Sequence, residues 1–135
     1  MASLTDGTAR DTFGHMITAQ GAPDNFIDRW ADYLNIAPGH SVPAPRSGYV
    51  AAIDGVKLGH IVVALGGGRQ TETDRIDASV GLSDIVPLGA PVRVGQPLAI
   101  LHAHDDISVA QVADCFEISD APPDLPPLIH EVISP

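Results

Sequence analysis

Lysine occurs once in this chain, at Lys57, and cysteine once, at Cys115. Seven basic residues are scattered among seventeen acidic ones for a net charge of −10, so no cation cluster is available to neutralise phosphates, which argues against nucleic acid as a partner. The acidic surface favours solubility. A single cysteine cannot form an internal disulfide, and its place in an apolar run marks Cys115 as a buried, inert thiol. Aromatic residues make up only 4% of the sequence, so the core must be built from Val, Ile, Leu and Ala. No apolar run approaches the ~18 residues of a membrane-spanning helix, and no basic-then-apolar leader opens the chain; no membrane partner and a cytoplasmic location are the expectations. GxSxG, GxxxxGK and a GxGxxG after a strand are missing too, as is any Cys and His pairing with a known spacing.

What is abundant is turn chemistry. Thirteen glycines and twelve prolines in 135 residues, with 44% hydrophobic residues, point to one domain of short elements rather than a helical bundle. Thr5 and Asp6 offer N-caps for a helix over Thr8 to Gln20, with Ala9, Phe13, Met16 and Ile17 on one apolar stripe. A second helix is expected from Pro23 and Asp24 onward, with Ile27, Trp30, Ala31 and Leu34 on its face. Ala37 to Arg46 carries three prolines and no apolar period, and reads as a linker. Gly48 to Ile53 predicts a strand, and Asp54 caps a helix over Val56 to Leu65 that stops at Gly66, Gly67 and Gly68. A polar loop with alternating charges (Arg69, Glu72, Asp74, Arg75, Asp77) follows. Beyond it, Ile76 to Val80, Asp84 to Leu88, Pro91 to Val94 and Leu98 to Ala103 read as strands, Ser108 to Cys115 as a helix and Leu128 to Ile133 as a closing strand. This order makes the fold class α+β, an antiparallel sheet partly covered by helices.

Two chemistries are open to such a chain and weakly supported by its residues. His102 and His104 would share one face of a strand next to Asp105 and Asp106, a donor set suited to zinc; the plainer reading has His102 bonded to a loop and His104 solvated, with no metal. His15, His40, His60 and His130 show no ligand spacing. The paired acids Asp105 and Asp106, or Glu72 and Asp74, lie in polar loops where solvated carboxylates are the ordinary case.

Four motifs, in order and spacing, carry a resemblance: GYVAAID at Gly48 to Asp54, ALGGGR at Ala64 to Arg69, DRIDASVGL at Asp74 to Leu82 and GQPLAILHA at Gly95 to Ala103. With LTDG at Leu4 to Gly7, FGHMITAQGAP at Phe13 to Pro23 and the tail PPLIHEVISP, they make the chain resemble the C-terminal domain of thymidine phosphorylases, in the pyrimidine-nucleoside phosphorylase family. The resemblance implies an α/β hammerhead related to the barrel-sandwich hybrid of biotinyl and lipoyl carriers, preceded by two short helices. It implies a helical segment over residues 1–38 leading in from another domain, a Pro-rich linker over 39–46 and the phosphorylase domain over 47–135. Gly89 to Leu101 also looks like the half-barrel of a carrier domain. A carrier needs a lysine at the tip of the next hairpin, whereas that tip reads His102 to Asp106 and Lys57 falls inside a predicted helix.

The parent enzyme so implied is a transferase in which phosphate, the co-substrate, attacks the anomeric carbon of a pyrimidine deoxynucleoside, without a cofactor. Its phosphate cradle and base-binding Arg, Ser and Lys have no counterpart among these residues, so the expectation is no catalytic residue in this chain and no activity by itself. Partners are the remaining phosphorylase domains, within a homodimer. ALGGGR and IDASVGL favour the thymidine enzyme over the broader pyrimidine one. Gly66, Gly67, Gly68, Arg69 and Asp74 are the candidate lid or interdomain loop. Arg69 either anchors the loop to another domain or pairs with Asp74 or Asp77 within this one. The rival function is a free-standing interaction module that keeps the fold without the reaction.

Overall fold

The computed structural model describes residues 2–104 and 109–127 together with residues 129, 131 and 133. It divides into two compact units, Met1–Asn35 and Ile36–Pro135. Both helices and antiparallel sheet are present, as the α+β reading requires.

The smaller unit is helical: α1 (Ala2–Thr5), α2 (Thr8–Ala19) and α3 (Phe26–Arg29), then a 3-10 turn over Trp30–Tyr33. The start of α2 is set by Asp6, whose Oδ1 accepts the Thr8 backbone N–H at 2.9 Å and its hydroxyl at 2.7 Å, while Gly7 takes the left-handed cap. The expected second helix is broken in two. Arg29 and Asp32 pair at 2.6 Å and the Tyr33 hydroxyl donates to Asn25 at 2.8 Å, contacts at a three-residue spacing or across the turn that suit the tighter winding after Arg29. No side chain of α2 or α3 is buried, and Phe13, Met16 and Trp30 remain exposed.

The larger unit holds two three-stranded antiparallel sheets. One runs β1 (Gly39–Pro43), β5 (Pro97–His102), β3 (Gly81–Ser83); the other β4 (Pro91–Val92), β2 (Gly48–Ile53), β6 (Phe116–Ser119). Between β2 and the glycine run lies α4 (Gly55–Val62), started by Asp54, whose Oδ1 accepts the Lys57 N–H at 2.9 Å. The last helix, α5 (Val109–Ala113), packs on β1 and β5. Val42, Val50, Leu98, Leu101 and Val112 are fully buried, so both sheets and α5 meet in one aliphatic core. β5 is the central strand of its sheet and buries Leu98, Ala99 and Leu101 almost continuously, as a strand covered on both faces must.

Three expectations are corrected. The segment read as a linker contains β1, paired with β5 from Gly39 opposite His102 to Pro43 opposite Pro97. Its proline is tolerated because the register shifts between Val42 and Pro43 on an edge strand, where a missing N–H removes no ladder bond. Residues 76–80 and 84–88 are loops, not strands; the strand between them is the three-residue β3. Finally, β6 was not expected, although Phe116 and Ile118 point inward and Glu117 outward. Ser108 lies outside the described residues, as do Leu128 and His130 within the expected closing strand; residues 129, 131 and 133 are not in a strand.

Candidate functional site

The glycine run ends α4 in a way that leaves no room for other residues. After Val62 the backbone widens into a π-turn over Val63–Gly67, and Gly66 breaks it with φ 97° and ψ −1°. That left-handed geometry disfavours any residue with a Cβ. Gly67 and Gly68 are required for a different reason. A Cβ on Gly67 would sit 2.7 Å from Val62 Cγ1 and 3.2 Å from Val80 Cγ2, and one on Gly68 would sit 2.7 Å from Val63 Cγ2. The run is therefore packed against its own helix and the far end of its own loop.

The loop beyond is closed by its acids. Asp74 Oδ2 accepts the backbone N–H groups of Gln70 at 2.9 Å and Thr71 at 2.8 Å, and Oδ1 accepts the Thr71 hydroxyl at 2.6 Å. The Thr71 hydroxyl, followed by the two N–H groups, holds the Asp74 carboxyl below its ordinary range. Asp77 Oδ1 takes the Ser79 hydroxyl at 2.6 Å and N–H at 2.9 Å, and its pKa is likewise lowered, first by the Ser79 hydroxyl, then by its N–H and by His104. Ser79 is buried, and its carbonyl accepts the Ala37 N–H at 3.0 Å, which ties the loop's return to the start of β1.

With both acids so engaged, Arg69 is exposed and makes no ion pair or hydrogen bond among the described residues. The in-domain alternative, Arg69 on Asp74 or Asp77, is not what the structure contains. Glu72 and Arg75 are exposed as well.

His102 bonds as the plainer reading has it, and it shares no site with His104. His102 ends β5 and bonds Ser83 Oγ through Nε2 at 2.9 Å and the Ala37 carbonyl through Nδ1 at 3.2 Å. His104 lies beyond the strand and, rather than being merely solvated, meets Asp77 and Ser79. Asp105 and Asp106 are outside the described residues, among which no group of three His, Cys, Asp or Glu side chains is placed to hold a metal. Lys57 sits on α4 in an ion pair with Asp54 at 3.4 Å, away from any hairpin tip. Cys115 is buried and donates to the Gln111 carbonyl at 3.2 Å; burial, helped by the Asp54 charge, pushes its thiol up and away from thiolate chemistry. It borders a groove of about 350 Å³ with Lys57, His60 and Gln111 that shares no residue with the glycine loop.

Residues 49–119, just over half of the chain, match the family described as pyrimidine nucleoside phosphorylase C-terminal domain. The chain belongs to that family. The phosphorylase C-terminal domain thus spans β2 to β6 and encloses the glycine loop whole. A curated relative, thymidine phosphorylase of Agrobacterium fabrum, is 40% identical over 138 residues, covering 98% of this chain. The same match covers 32% of that relative, so the chain spans about a third of its length. No helix among the described residues is long and apolar enough to cross a membrane.

Proposed function

We propose that this chain is the C-terminal portion of a thymidine phosphorylase and that its glycine loop helps close the enzyme's cleft. The 40% identity to a thymidine phosphorylase across 98% of the chain supports the assignment. In that reaction phosphate oxygen forms a bond to the anomeric carbon as the bond from that carbon to the base nitrogen breaks, giving thymine and 2-deoxyribose 1-phosphate. Such chemistry needs a phosphate cradle and groups that stabilise negative charge on the departing base. Those groups belong to the part of the parent enzyme outside this chain, which holds no catalytic residue and is inactive alone. The parent works without a cofactor, in the cytoplasm and as a homodimer. The hammerhead relation to carrier domains is part of the same proposal, supported by two small antiparallel sheets sharing one core.

The observation that carries the closing role is Arg69. Its loop is fastened at the root by packed glycines and internally by Asp74, yet its guanidinium has no partner among the described residues. A rigid loop presenting an uncommitted, exposed cation suits docking onto an acidic or phosphate-bearing face when the cleft closes. Replacing it as Arg69→Ala in the intact enzyme tests this. The expected loss in kcat/KM is about tenfold, equivalent to one charge-assisted hydrogen bond made on closure. Unchanged kcat and KM would rule the closing role out.

A further inference from the structure

Arg69 leaves the glycine run with its backbone fixed on both sides by groups that make no bond to its guanidinium. On the near side, Gly67 and Gly68 pack against Val62 and Val63 too closely to admit a Cβ. On the far side, the next two residues both donate their backbone N–H groups to one carboxylate oxygen: Asp74 Oδ2 accepts from Gln70 at 2.9 Å and from Thr71 at 2.8 Å. Asp74 Oδ1 takes the Thr71 hydroxyl at 2.6 Å, and the Asp74 N–H returns to the Thr71 carbonyl at 3.2 Å. One residue therefore closes residues 70–74 into a knot directly after Arg69.

Among the described residues no other side chain holds the backbone beyond Arg69. Glu72 and Thr73 form an exposed tip, where the Thr73 hydroxyl lies 3.2 Å from that of Thr71. Asp77 is engaged by Ser79, and its N–H bonds the Gly66 carbonyl at 2.8 Å, which closes the loop as a whole rather than the segment next to Arg69. Asp74 keeps its oxygens on the donors of Gln70 and Thr71, so it shapes the chain beside the cation without pairing with it. A cation carried on backbone that is already ordered gives up less freedom on docking than one on a loose chain.

We infer that Asp74 is the positioning residue for Arg69: it sets the backbone from which the guanidinium emerges, and with it the direction in which the loop docks. The inference rests on the closing role given to Arg69 and names the residue on which that role depends. Without the carboxylate the Gln70 and Thr71 N–H groups turn to water, the chain after Arg69 gains alternative paths, and docking must order it again. The Arg69 side chain itself is untouched, so Asp74 matters to closure only while Arg69 is present. Asparagine keeps an amide oxygen that can accept both N–H groups, and so preserves most of the knot.

Crossing Arg69→Ala with Asp74→Ala in the intact enzyme tests this. Asp74→Ala is expected to lower kcat/KM about three- to tenfold, Asp74→Asn to recover most of that loss, and the double variant to fall no further than Arg69→Ala alone. In the 135-residue chain, hydrogen exchange at the Gln70 and Thr71 amides of Asp74→Ala is expected to quicken about three- to tenfold, the equivalent of one hydrogen bond, while the Asp77 amide is unchanged. Losses that multiply in the double variant, full activity in Asp74→Ala beside a defective Arg69→Ala, unaltered exchange at Gln70 and Thr71, or equal quickening at Asp77 would each overturn the inference and leave the closing role standing. Full activity in Arg69→Ala would remove the closing role itself, and the inference with it.

Discussion

The backbone N–H of Asp77 donates to the carbonyl of Gly66 at 2.8 Å, so the residue that ends the charged loop is tied to the glycine that begins it. The loop's shape thus depends on its root rather than on its exposed charges.

Substitution at the root and at the tip should therefore differ in kind. Gly67→Ala drives a methyl against Val62 and Val80 and is expected to cost about 1–3 kcal/mol, while Arg69→Ala, which removes an exposed side chain with no hydrogen bond or ion pair among the described residues, stays within about 0.5 kcal/mol. Urea midpoints of the two variants check this. Equal midpoints would mean that the loop root is not tightly packed.

The core makes a second prediction. Leu101 is fully buried on the central strand of the β1-β5-β3 sheet, and Leu101→Ala is expected to lose about 2–5 kcal/mol to the lost transfer energy and the cavity left behind. A loss below 1 kcal/mol would place the residue outside a close-packed core.

Much of this was legible in the residues themselves. Asp54 followed by an apolar helical period marked α4 and its start, and the apolar run Gly48–Ile53 before it marked β2 with its observed bounds. The glycine run was legible as a break, but not as a packed root, because the contacts of Gly67 with Val80 cross thirteen positions of loop. β1 was hidden by Pro43 at its end and by Pro38 and Pro45 on either side, whose usual meaning as breakers holds only where every N–H must join a ladder. β6 was hidden by its brevity, although Phe116 and Ile118 alternate around Glu117. The link of His104 to Asp77 spans 27 positions and has no local signal at all.

Acid should loosen the fold in a defined direction. Asp54, Asp74 and Asp77 each have a folded pKa lowered from 3.8, led respectively by the Lys57 N–H, the Thr71 hydroxyl and the Ser79 hydroxyl. Lowered values mean stability that is present above pH ~4 and lost as pH falls through the folded values. Asp74→Asn removes one of these carboxylates, so its stability should decline less steeply than the unaltered chain's between pH 5 and 2.5. Superimposable curves would contradict the assigned hydrogen bonds.

As proposed, this chain is the C-terminal domain of a thymidine phosphorylase, needed for closure and lacking the reacting groups. Phosphate-dependent release of thymine from thymidine, followed by ultraviolet absorbance, tests it most directly when run on this chain alone and again with the N-terminal portion of the parent enzyme supplied. No release is expected from the chain alone, with recovery on complementation. Turnover by the chain alone would contradict it, because the phosphate and base sites would then have to lie among these residues.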